Sequence, residues 1–305
     1  MAHILVGTTA GLAELDGGGR QLRVHHEGRS VGAVAGRDGG LFALVQDSEV
    51  WRTVGDGRWV RAGALTGRRG HCIARTHSGV LVGTSEAHLL RLADDGLEVV
   101  HAFDHAPGRG EWYTPWGGPP DTRSISEDDS AVYVKVHVGG ILRSTDGGDS
   151  WQRTIDLHAD VHQVWTGRGR IFAACGAGGL AVSADEGRTW TMHIDGLHAT
   201  YCRAGALSGD IVLVSASTGP GGRSSAIYRC GLDGTGLERC RRGLPEWFDQ
   251  NIDSHCLDAL PDDHLAAFAT GDGRIFASDD GGASWAEVAS GLPEVRCLLV
   301  KHEQG

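Results

Sequence analysis

Seven side chains offer the most evident chemistry: Arg29, His71, Arg123, His162, Arg203, His255 and Arg296. Each opens a short [His/Arg]-x-[apolar or small] stretch, and successive members lie 42, 52, 39, 41, 52 and 41 residues apart. Brought to one point, the neutral imidazoles of His71, His162 and His255 have the composition of a zinc, copper or iron centre. The guanidiniums of Arg29, Arg123, Arg203 and Arg296 beside them suit a carboxylate, phosphate or sulfate, often held in bidentate fashion. The same residues also admit a structural role, with the arginines bonding neighbouring backbone carbonyls and the histidines bonded to loops.

The two 52-residue intervals hold insertions rich in aromatic and acidic residues. The first, Asp104–Asp121, contains Glu111, Trp112, Tyr113 and Trp116; the second, Leu244–Asp253, contains Glu246, Trp247 and Asp249. Aromatics on loops beside a polar cavity suit a substrate wall, and a rigid scaffold commonly carries function on such loops. Glu111, Glu246 and Asp249 are the candidate general acids or bases. His137, in Val-Lys-Val-His-Val-Gly-Gly, and His198, in Gly-Leu-His-Ala-Thr-Tyr, are candidates to complete a coordination shell or shuttle protons. His25, His26, His88, His158, His193, His264 and His302 read as solvated.

The elements that must position these residues follow from an internal repeat. Ser144-Thr-Asp146-Gly-Gly148-Asp-Ser-Trp151, Ser183-Ala-Asp185-Glu-Gly187-Arg-Thr-Trp190 and Ser278-Asp-Asp280-Gly-Gly282-Ala-Ser-Trp285 all read S-x-D-x-G-x-x-W. Ser and Asp suit the capping of backbone N–H groups in a tight turn, and Gly supplies positive φ. Strand-sized apolar runs precede each copy, as in Val161-His-Gln-Val-Trp, Arg170-Ile-Phe-Ala-Ala and Gly179-Leu-Ala-Val-Ser. About four such runs per 40 residues match a propeller blade.

The motif resembles the Asp-box, or BNR repeat, of sialidases, sortilin-type receptors and photosystem II assembly propellers. The whole chain is similar to bacterial sialidase-like BNR-repeat proteins. The resemblance implies that the boxes are scaffold, each turn joining the third and fourth strands of a blade. Degenerate copies fill the intervals, so the expected fold is all-β: a single seven-bladed β-propeller over residues 1–305. Blades should start near residues 29, 71, 123, 162, 203 and 255. The remaining blade combines three strands from residues 1–28 with one from 294–305, which removes exposed sheet edges.

Composition limits the partners. A net charge of −11 repels phosphates and acidic lipids, so neither nucleic acid nor a membrane surface is expected as a partner. No apolar run approaches the ~20 residues of a bilayer span. The first residues read as a strand and not a secretion signal. Seven cysteines without a CxxC pair suit free thiols in a reducing cytoplasm.

For function, the sialidase resemblance implies three arginines on a substrate carboxylate, a Tyr/Glu nucleophile pair and an Asp acid/base. Arg123, Arg203 and Arg296 can imitate the arginine triad, but the Arg-Ile-Pro motif is missing and sialidases have six blades. Streptogramin lyase, another seven-bladed propeller, places metal-assisted elimination near the axis, an analogy of fold alone. The leading expectation is a metal-dependent enzyme acting on a small polar or anionic substrate, with no nucleotide cofactor. The alternative is a non-catalytic module that binds an acidic peptide or protein.

Overall fold

A computed structural model describes residues 2–37, 40–55 and 57–302. The chain forms seven four-stranded antiparallel sheets arranged as the blades of a propeller. Numbered from the closing blade, their inner strands are Val295–His302 (blade 1), Val31–Ala35 (2), Gly70–Thr76 (3), Thr122–Glu127 (4), Val161–Gly167 (5), Tyr201–Ser208 (6) and Leu257–Ala259 (7). Blade 1 joins both ends of the chain: Val295–His302 pairs with Ala2–Thr8, followed outward by Gly11–Asp16 and Gln21–His25. Among the described residues, no helix is long and apolar enough to cross a membrane.

The core lies between blades, because the period-2 alternation of a strand sends neighbouring side chains into different interfaces. The second strand of blade 4, Val132–Val136, illustrates this. Val132, Val134 and Val136 pack with Cys72 and Leu81 of blade 3, whereas Tyr133 packs with Val164 and Ile171 of blade 5. Lys135 shares the Tyr133 side of the strand and is therefore directed toward blade 5.

The three S-x-D-x-G-x-x-W segments form near-identical turns. In the first, Ser144 Oγ donates to Asp146 and accepts the Gly148 N–H at 2.9 Å, while Asp146 accepts the Ser150 N–H at 2.9 Å. Ser183/Asp185 and Ser278/Asp280 repeat this pattern. The indole N–H groups of Trp151 and Trp285 return to the Gly148 and Gly282 carbonyls, but that of Trp190 reaches Thr154 instead.

We call the face where inner strands begin the upper face. The loops entering each blade and the turns between second and third strands lie on it. The S-x-D turns lie on the lower face.

Candidate functional site

Five of the seven residues in the His/Arg register occupy one backbone feature. Pairing between the inner and second strands slips at Arg296, His71, Arg123 and His162, and across Arg203-Ala204. A β-bulge leaves a residue out of the ladder and re-aims its side chain. Here the bulge releases the cation at the upper end of each inner strand. In blade 2 the corresponding slip is at Gly32, between Val31 and Ala33, so Arg29 lies three residues outside the register. It pairs with Glu49 at 2.7 Å and rests over Trp51. His255 precedes its strand at φ 65° and reaches across the channel.

The residue after the bulge, not the cation, ties blades together. Cys72 Sγ donates to the Thr122 carbonyl, Ser124 Oγ to Val164, Gln163 Nε2 to Gly205 and Cys297 Sγ to Val31. Burial pushes the Cys72 and Cys297 thiols up to about 12, so both remain protonated scaffold groups.

The arginines have local carboxylate partners that sequence spacing did not reveal. Arg123 is 2.7 Å from Asp121, Arg203 is 2.8 Å from Asp253, and Arg296 is 3.4 Å from Asp47. The three guanidiniums that could imitate a sialidase triad are thus each already paired. His71 lies 3.5 Å from the other oxygen of Asp121. Burial alone would raise the Asp121 carboxyl, but hydrogen bonds from His71 and Arg123 hold it well below the usual range.

The expected three-histidine centre does not form. His162 Nδ1 bonds the Cys202 carbonyl at 2.7 Å, and His255 Nε2 bonds the Arg123 carbonyl at 2.9 Å. His71 is drawn to Asp121. Among the described residues, no group of three or more His, Cys, Asp or Glu could hold a metal ion. His255 serves instead as a bar across the channel: its N–H donates to Gln163, and Ser254 Oγ donates to the Arg203 carbonyl. Below this bar is a cavity of about 740 Å3 that runs to Arg37, Glu127 and Asp258 at the lower face. This cavity is lined by His255 and Gln163 and opens away from the other candidate residues.

The insertion loops divide. Trp112 is buried against Phe103 and beneath Arg109, making it core. Glu111 pairs with Arg153 on the surface, and Glu246 and Asp249 are exposed. None of the three carboxylates contacts the axial residues, so the assignment of acid or base to them lacks geometric support. Trp247 is sandwiched by Arg239 and His198, whose ring Nδ1 bonds Tyr228 Oη at 2.7 Å, so both pack in the side of blade 6. His26, expected in solvent, is wedged against Trp51 and Trp59; burial lowers it to about 4.

Two loop aromatics do meet a buried polar group. Tyr113 donates its N–H to the Val138 carbonyl, pinning the first insertion to the His137–Val138 turn. Trp116, 70% exposed, lies over the His137 ring with centroids 4.8 Å apart. Tyr113 Oη is 3.4 Å from His158 at the loop's edge. Val138 has φ 43°, which is rare for a β-branched residue and holds this turn under strain. His137 is buried, and among the described residues its Nδ1 has no hydrogen-bond partner. Burial and the nearby Lys135, Arg123 and His162 lower it to about 3, keeping the ring neutral.

Lys135 is the group missed by reading only inner strands. It is 1% exposed, yet it lies on a strand that is otherwise Val-Tyr-Val-Val. Lys135 and Lys301 are the only lysines in a chain with many arginines. Lys301 pairs with Glu14 at 3.6 Å; among the described residues, none makes a hydrogen bond or ion pair with Lys135. Burial, then the Arg123 charge, lowers its amine to about 7, against a smaller pull from Asp160. His162, 3.8 Å from Asp160 and edge-on to Tyr201, is lowered to about 4 by burial and Lys135. Lys135, His137, Arg123, Asp160 and His162 therefore form one electrostatic cluster at the top of the interface between blades 4 and 5. Perturbed groups that converge in this way mark a functional-site candidate.

No known family's profile matches the chain, and no curated protein is similar to it. Solved structures similar to it are propellers of diverse origin. The computationally designed Ika8 protein superposes with a TM-score of 0.59 at 16% identity, over 93% of this chain and 82% of that one. YCF48 from Cyanidioschyzon merolae gives 0.58 at 15%, over 86% of each chain. U3-55K gives 0.60 at 15%, over 88% and 83%. At these identities the likeness is one of fold.

Proposed function

We propose that this propeller binds a small polar, anionic ligand at its upper face, in the cluster between blades 4 and 5. The observation that carries the reading is the buried, unpartnered His137 Nδ1 beneath the exposed Trp116, two residues along the strand from the buried Lys135. A buried amine without a partner costs several kcal/mol compared with an apolar residue. Strand packing alone offers no reason to keep it. Arg123 and Arg203 beside it are paired with Asp121 and Asp253, so a carboxylate or phosphate would enter by sharing or displacing those carboxylates. This reading replaces transition-metal chemistry, because the three axial imidazoles are committed to other partners.

The family reading belongs here too: three S-x-D-x-G-x-x-W turns with matching capping bonds support an Asp-box propeller. Seven free, buried cysteines support a reducing compartment.

Calorimetric titration with small mono- and dicarboxylates, inorganic phosphate and an acidic peptide tests the proposal. Saturable binding of a small anion, weakened at least about tenfold (1.4 kcal/mol) in His137→Phe, is expected. Binding of the peptide alone, or small-anion binding that the substitution leaves unchanged, would move the site elsewhere.

A further inference from the structure

We propose that the blind channel below His255 binds a small zwitterion, an α-amino acid with an aliphatic side chain, which enters from the lower face. This site goes beyond the upper-face reading and is independent of it, because the His255 bar separates the two. The cavity of about 740 Å3 is within the roughly 300–1,000 Å3 of small-molecule pockets. It borders blades 2 and 3 along residues 33–37 and 72–77 and meets blades 4, 1 and 7 over shorter stretches. Its depth is aliphatic: Ala33, Ala35, Ile73, Ala74, Ile125 and Leu298 line it. The closed end is formed by the side chains of His255 and Gln163, which bond the Arg123 and Gly205 carbonyls. An apolar tail fits this depth, where a charged one would have no partner.

The polar groups select the head of the ligand. Every inner strand is the end strand of its sheet, so one edge of alternating N–H and C=O groups faces the channel. On blade 1 that edge is met from within the protein. The Leu298 N–H donates to the His255 carbonyl and the Val300 N–H to Asp258, while Arg37 Nε donates to the Val300 carbonyl. The edges of blades 2 and 3 border the cavity, and offer N–H groups to a carboxylate and carbonyls to an ammonium. The mouth carries both signs on two arcs: Arg37 and Asp258 join blades 2 and 7, and His77 and Glu127 join blades 3 and 4. The Arg37 bonds use Nε and Nη2 and leave Nη1 for a ligand. Both Glu127 oxygens accept the His77 backbone N–H, at 3.0 and 2.9 Å, which fixes the carboxylate in place. A ligand of one charge meets repulsion as well as attraction there, whereas an ammonium and a carboxylate on one carbon complement both arcs.

Calorimetry on the full chain tests the ligand class, with L-leucine as probe beside glycine, 4-methylpentanoate and 3-methylbutylamine, which lack the tail, the ammonium and the carboxylate respectively. Carbon-13 NMR of the isoleucine δ-methyl groups, assigned through Ile73→Val and Ile125→Val, locates the site. The expected result is saturable leucine binding, at least about tenfold tighter than any analogue. The Ile73 and Ile125 signals should move together, while that of Ile171, in the core between blades 4 and 5, stays in place. Arg37→Met should weaken leucine at least about tenfold; the wild-type methyl map decides even if that variant fails to fold. No saturable binding, an analogue bound as tightly as leucine, or an unmoved Ile73 signal overturns the channel site. Leucine binding should persist in His137→Phe; its loss there would move the ligand to the upper face and overturn the channel site as well.

Discussion

Replacing Lys135 by methionine should stabilise the protein at neutral pH. The folded amine titrates near 7 and an unfolded lysine near 10.4, so between these values the unfolded chain binds more protons. Wild-type stability therefore rises with pH across that window, and burying this lysine costs on the order of a few kcal/mol at pH 7. Urea titrations of Lys135→Met should show higher stability at pH 7, an advantage that shrinks toward pH 10. Equal advantage at both pH values would show that the amine is not neutralised by burial. The histidines act at lower pH. His137 and His162, at about 3 and 4 when folded, are both depressed below the unfolded value of ~6.5. Their stabilisation is complete above pH ~6.5 and is lost as pH falls toward those values. Melting temperature should fall from pH 6.5 to 4, and less steeply in His137→Phe. At this scale the sequence was half legible. Periodicity exposed the axial Arg and His because they recur, but Lys135 occurs once, on a second strand. The aspartates that neutralise the arginines lie two residues upstream in only one blade, at Asp121; Asp47 and Asp253 come from other segments.

Among the elements, the bulge and the S-x-D turn perform separate tasks. The turn is local, so its capping was readable from residue types. Ser278 is buried and accepts the Gly282 N–H; Ser278→Ala leaves that donor unsatisfied and should cost about 1–3 kcal/mol in chemical denaturation, without altering ligand binding. A loss below the error of the measurement would show that Asp280 caps the turn alone. The bulge was not readable, because pairing slips depend on the partner strand. That is why Arg29 was aligned with the axial set although Gly32 holds its place. A Cβ at Gly32 would meet Asp47 Oδ1 at 2.9 Å, and Asp47 is the carboxylate that Arg296 uses. The insertion loops divide for the same reason: whether an aromatic faces a cavity or a core depends on what lies beneath it. Trp112 found Phe103 and became core, whereas Trp116 found His137 and stayed exposed.

In the whole molecule, the ring depends on its two-ended blade. The inner strand Val295–His302 contributes Leu298, Leu299 and Val300 to the cores on either side. Removing residues 295–302 should abolish cooperative unfolding and yield aggregated protein in size-exclusion chromatography, because it exposes the edge of Ala2–Thr8 and two apolar faces. A monomeric product with a sharp transition would mean that six blades close without it. The blade count was legible because strand-sized runs and repeat spacing are sums along the chain. The site was less so, since its position depends on which interface each side chain enters. Lys135 brings both together, and with only two lysines its state can be observed directly. Carbon-13 labelling of the lysine ε position should give two NMR signals: one titrating near pH 7 and displaced by a small carboxylate ligand, the other, from Lys301, unmoved by that ligand. Two signals that both titrate in the ordinary lysine range, with neither responding to ligand, would contradict the site at the junction of blades 4 and 5.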